Sequence, residues 1–157
     1  MASVPKLLDA IGQSYDVYSH GTFEKVRASG VATYCNLFVS GICGFYKYDK
    51  FLGLLANDII EVIENDKEWD DSKNPVLTKG MGKAQHFANQ GCVVLAYSKG
   101  EEHGHVCIIR PGLMVYSNKW KMWVPKCVSI GKNNFTGKGI NWAFSDRPHI
   151  AFLVRII

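Results

Sequence analysis

Hydrophobic positions follow two different periods along this chain, and the change comes near residue 90. In CNLFVSGICGFY, Leu37, Phe38, Ile42 and Phe45 recur at near-helical intervals. That spacing predicts a helix with one inward stripe, starting near Cys35 after the turn Ala28-Ser29-Gly30, with Thr33 as a cap. Residues 51–66 repeat the pattern at Leu54, Leu55, Ile59, Ile60 and Ile63 and predict a second amphipathic helix. Shorter helices are expected over residues 4–10, with Ser3 as cap and Pro5 in the first turn, and over 82–89, closed by Asn89-Gln90-Gly91. The polar stretch 66–75 reads as a loop ending at Asn74-Pro75. Beyond residue 91 the pattern turns β-rich. Residues 92–98, 105–112, 123–131 and 149–156 predict strands, and 113–122 can supply another short one. Helices first and strands after predict an α+β fold, with the N-terminal helices packed on one face of a central antiparallel β-sheet.

Composition narrows this modestly. With 157 residues, 47% of them apolar and 20% charged, the chain suits one globular domain over 1–157. Residues 1–30 form an N-terminal helical extension in this reading, either part of the core or a cover over a cleft. The net charge of +4 favours anionic surfaces without selecting one, because the lysines are scattered rather than blocked. Five cysteines cannot all pair within one chain, and no CxxC occurs to suggest structural zinc or a thioredoxin-like site. Cys92 and Cys107 lie in apolar runs and read as small buried hydrophobes. The start, MASVPKLLDAIGQS, has neither the basic flank nor the apolar run of a signal peptide, and no stretch is long enough for a membrane span.

A thiol becomes a useful nucleophile as a thiolate, and a helix N-terminus or a nearby imidazole favours that form. Cys35 opens an apolar-periodic helix, where unpaired backbone amides can stabilise S⁻ and donate to an oxyanion. Cys43, two turns on, has no such setting. Among the histidines, His105 begins a strand directly after Gly104, so its ring would be held rigidly. His20, His86 and His149 read as solvated or packed residues, and His103 lies in a polar loop. Alternation puts His105, Cys107 and Ile109 on one face and Val106 and Ile108 on the other. If Val128 and Ile130 face the helices, Ser129 stands beside His105 as the group that orients its ring. Asn134, in the KNNF turn, is the alternative.

These segments resemble a known family. ATYCNLFV, then ANQGCVVLAYSKG and GHVCIIRPG some 70 residues later, is similar to the NlpC/P60 and CHAP-type cysteine peptidases and amidases. The closing PKCVSIGKNNFTGKGINWAF resembles bacterial cell-wall amidases of that group, including secreted antibacterial effectors. The likeness runs from about Thr33 to the C-terminus. It implies a papain-like fold and hydrolysis of an amide bond in peptidoglycan stem peptides through a thioester. Cys35 is then the nucleophile and His105 its base. Ser129 takes a place more often filled by histidine, asparagine, glutamine or an acid. The Cys35 backbone amide would serve the oxyanion, with Tyr34 and Trp123 lining the substrate groove. The resemblance calls for no cofactor, metal, nucleic acid or membrane span. Peptidoglycan or another amide-bearing molecule is the expected partner, together with an inhibitor or immunity protein. A secreted, periplasmic or wall-associated location is also implied, by a route that needs no visible signal peptide or with a leader preceding this sequence.

Three other readings fit the same residues. The scaffold also suits acyltransferases, deamidases and transglutaminase-like enzymes. A binding module that has lost its chemistry would keep the fold and leave Cys35 unreactive. Zinc held by His103, His105, Cys107 and Cys127 has suitable strand spacing at the histidines but lacks a supporting acidic or CxxC element.

Overall fold

A computed structural model describes residues 35–45, 47–65, 77–78, 80–100, 104–130, 135–145 and 150–155. The expected helix at 4–10, the Thr33 cap and the loop at 66–75 lie outside them. Helix α1 (Cys35–Phe45) falls on the segment where the spacing predicts a helix. Its inward stripe includes Cys35, Val39, Ile42 and Cys43, all at most 1% exposed. Helix α2 (Ala56–Asn65) buries Ala56, Ile59, Ile60 and Ile63, with Asp58 in its first turn, where the helix dipole favours a negative charge. Each fully buried isoleucine contributes about 1.5–3 kcal/mol by leaving water.

The second helix is five residues shorter than expected at its start. Gly53 adopts φ +76°, which breaks the helical path, and turn bonds run from Leu52 N to Asp49 O and from Leu54 N to Phe51 O. Phe51 is buried beside Tyr48, with ring centroids 4.8 Å apart, while Leu55 points outward. The apolar period thus continues through a segment that packs as a turn.

Strand β1 (Leu77–Thr78) and helix α3 (Met81–Asn89) follow. Gly91, at φ +90°, takes the chain out of α3 into β2 (Val93–Ser98). The remaining strands are β3 (His105–Ile109), β4 (Val115–Ser117), β5 (Met122–Val124), β6 (Lys126–Ser129), β7 (Phe135–Gly139) and β8 (Ala151–Arg155). A short 3₁₀ turn, Ile140–Trp142, comes after β7. Six strands make one sheet in the order β1-β8-β2-β3-β6-β7, every pair antiparallel, while β4 and β5 form a separate ribbon.

Two expectations are corrected. Residues 123–131 are two strands in two sheets, because Pro125 has no N–H for a ladder and separates β5 from β6. The junction is pinned from both sides: Ile140 N donates to Pro125 O at 3.0 Å and Arg110 N to Lys126 O at 2.8 Å. The helices also cover both faces of the sheet. Leu95, Tyr97, Val106, Ile108, Val128 and Ile130 pack with α1 and α2, whereas Val94, Ala96, Cys107, Ile109, Cys127 and Phe152 pack with Ala84 and Ala88 of α3. The reason is visible in VVLAY and VCII, which are continuous apolar runs rather than half-buried alternations.

Candidate functional site

His105 is the first residue of β3, and its position is set by what precedes it. Asn57 of α2 fastens the β2–β3 connection from both sides: its Nδ2 donates to Gly100 O at 3.1 Å, and Gly100 N donates to its Oδ1 at 3.3 Å. Next to this clamp is Gly104. A Cβ there would overlap Asn57 Oδ1 and lie 3.1 Å from Ser98 O, so the close approach requires glycine. Lys99 and Glu61 add an exposed ion pair across the same junction.

The ring of His105 is held on two sides. Its Nε2 lies 2.9 Å from Ser129 Oγ, and Phe144 meets it edge-on with centroids 5.1 Å apart. Ser129 is 1% exposed. Burial drives the imidazole towards its neutral form and lowers its pKa from 6.5 to about 4. A neutral ring has one donor nitrogen and one acceptor nitrogen. If Nε2–H donates to Ser129, Nδ1 is the basic nitrogen.

Cys35 reaches the same strand with α1, which packs against β3. It belongs to the cluster under α1 and α2, whereas His105 shares the sheet face of Cys107 and touches Phe144 of the other cluster. Cys35 also contributes to the electrostatic setting of Cys107. Burial pushes the Cys107 thiol well up, a hydrogen bond and charge interaction with Cys127 add to this, and the charge of Cys35 adds further. Cys35 itself is 1% exposed, so it does not face an open cleft as a nucleophile in a solvent-reachable groove would.

The other expected site residues fall elsewhere. Trp123 lies on the β4–β5 ribbon, 61% exposed and edge-on to Tyr116 at 5.7 Å. His86 sits exposed on α3 beside Phe87. Tyr34, His20, His103, Asn134 and His149 lie outside the described residues. All five cysteines are buried and none is in a disulfide. Among the described residues no three histidine, cysteine or acidic side chains come together to hold a metal, and His103 of the zinc reading is not among them. No described helix is long and apolar enough to cross a membrane. Asn57 and Phe144 were not anticipated. Both act across long sequence separations and carry no local signal of their role.

No protein-family model matches the chain, and no curated protein does either.

Proposed function

We propose that the protein is a papain-like cysteine hydrolase of the NlpC/P60 type, cleaving an amide bond in peptidoglycan stem peptides. The observation that carries this reading is the His105–Ser129 hydrogen bond on a buried strand against which the Cys35-headed helix packs. In the proposed reaction, Nδ1 of His105 takes the thiol proton as the Cys35 sulfur attacks the amide carbonyl. The tetrahedral oxyanion is met by the Cys35 backbone amide at the head of α1. The imidazolium then protonates the leaving amine, giving a thioester that water hydrolyses with His105 again as base. Because the resting ring is neutral, the proton moves during attack rather than in a preformed ion pair. Ser129 orients the ring but supplies no charge.

Burial of Cys35 in the cluster opposite the His105 face adds a requirement: the sulfur must become accessible and come within reach of the ring before this reaction can proceed. The same burial is what favours the second reading, a non-catalytic wall-binding module. Incubating the protein with purified peptidoglycan and measuring new amino groups separates the two. The hydrolase releases amines, and Cys35→Ala lowers the rate by about three orders of magnitude or more. Undiminished release by Cys35→Ala removes Cys35 from the mechanism. No release by the wild type, with all five thiols equally inert to iodoacetamide, leaves the binding module.

A further inference from the structure

Three large rings stand in solvent on one stretch of surface away from the His105–Ser129 pair. Trp142 is 60% exposed, Trp123 61% and Tyr116 46%. They form a connected set. Trp123 meets Tyr116 across the β4–β5 ribbon at 5.7 Å, and Tyr116 and Trp142 line one groove together with Lys119. Lys138 Nζ sits over the Trp142 ring, 5.1 Å from its centroid. Lys119 and Lys121 are exposed on the turn that joins β4 to β5.

No carboxylate offsets these lysines along this part of the chain. From Gly104 to Phe144 the sequence contains no aspartate or glutamate, against Arg110 and five lysines. The acids among the described residues are Asp49, Asp58, Glu61 and Glu64, all on α2 or just before it. Helix α2 packs on the opposite face of the sheet: Ile59 and Ile60 belong to one buried cluster, whereas Val124 of the ribbon belongs to the other. The sheet itself therefore stands between the described acids and the ribbon.

Exposed indole and phenol rings have an apolar body and a polar tip, which suits the boundary between acyl chains and headgroups. Lysine stems lie along apolar surface while their ammonium groups reach lipid phosphates. A single-stranded nucleic acid asks for something different, namely open ring faces on which bases stack. Here Tyr116 and Trp123 stand edge to face at 72°, and an ammonium group covers one face of Trp142. Apolar rings bordered by cations alone complement a negatively charged bilayer surface.

We propose that this aromatic and lysine-bearing face docks the protein on an anionic phospholipid bilayer, lying on the surface without spanning it. Neither Cys35 nor His105 takes part, so the proposal stands or falls separately from the hydrolase.

The test mixes the full chain with sucrose-loaded vesicles and reads sedimentation together with tryptophan emission. One set of vesicles holds equal parts phosphatidylcholine and phosphatidylglycerol, the other phosphatidylcholine alone. At low salt the anionic vesicles are expected to bind about tenfold tighter or more, with the difference shrinking as salt is raised. Lys119→Gln and Lys121→Gln should each weaken that binding about fivefold. Trp123→Ala and Trp142→Ala should each weaken it about tenfold and reduce quenching by lipids brominated high on the acyl chain. Circular dichroism confirms that each variant is folded, and the lysine and tryptophan variants test the face independently. Equal binding to both vesicles, no sedimentation with either, or unchanged affinity in both tryptophan variants overturns the proposal. Saturable oligothymidylate binding that is lost in the same tryptophan variants also overturns it, by assigning the face to nucleic acid.

Discussion

Nε2 of His105 and Oγ of Ser129 lie 2.9 Å apart, joining the first residue of β3 to the last residue of β6. The bond links residues that are not direct register partners, since Ile108 faces Val128 and Ile109 faces Cys127 across this pair of strands. Both side chains project to the sheet face that carries Cys107 and Cys127. Ser129 is therefore a positioning residue in the proposed mechanism.

Ser129→Ala should lower kcat about tenfold or more with little change in KM, because the base remains while its orientation is lost. A purely structural role would alter stability without changing the ring nitrogens. Nitrogen NMR of labelled histidine should show the tautomer population of His105 shifting in Ser129→Ala. An unchanged tautomer together with unchanged kcat rules out the positioning role.

The neutral His105 also sets a pH dependence. Above pH 6.5 neither the folded nor the unfolded chain binds a proton at this residue. Below 6.5 the unfolded chain takes up a proton that the folded site refuses down to about pH 4. Stability should therefore fall with pH across that window, by as much as about 3 kcal/mol. Urea unfolding at pH 7 and pH 4.5 measures the loss, and His105→Gln should show less of it. The acid limb of kcat/KM should likewise lie near pH 4 rather than 6.5.

Gly104→Ala should destabilise the fold by about 1–3 kcal/mol, the range expected when a well-packed site is overfilled. The added Cβ meets the same Asn57 oxygen that accepts the bond from Gly100. Adding Gly104→Ala to Asn57→Ala should therefore cost less than adding it to the wild type. Additivity in a denaturant-unfolding cycle would remove the steric explanation.

Thiol reactivity should divide the cysteines. Burial raises the Cys92 thiol, and Cys107 is pushed higher by burial, Cys127 and Cys35. Native-state labelling followed by peptide mapping should leave both unmodified over times that label Cys35 in an active hydrolase. Preferential labelling of Cys107 contradicts the assigned environments.

Some of this architecture was readable in the chain because the relevant forces are local. Of the stripe expected for α1, Ile42 is buried, while the side chains of Leu37, Phe38 and Phe45 lie outside those described; strand alternation separates Val106 and Val128 from His105 and Ser129. Other features follow from contacts that no short window contains. Leu54 and Leu55 match the helical period, yet Gly53 turns the chain and leaves Leu55 62% exposed. Strand β7, FTGKG, has two glycines and little β signal, and takes its shape from pairing with β6. Phe144 and Asn57 reach the vicinity of His105 only through the tertiary fold. How the Cys35 helix packs on the strand that His105 opens was the least legible relation, because it depends on tertiary packing rather than on either residue's neighbours.

Pro125 gives the molecule a stiff elbow. Hydrogen bonds to its own carbonyl and to that of Lys126 fasten the bend to Ile140 and Arg110, at the start of the strand ending in Ser129. The exposed rings of the ribbon and the sheet strand that carries Ser129 thus stand on the two sides of one fastened bend.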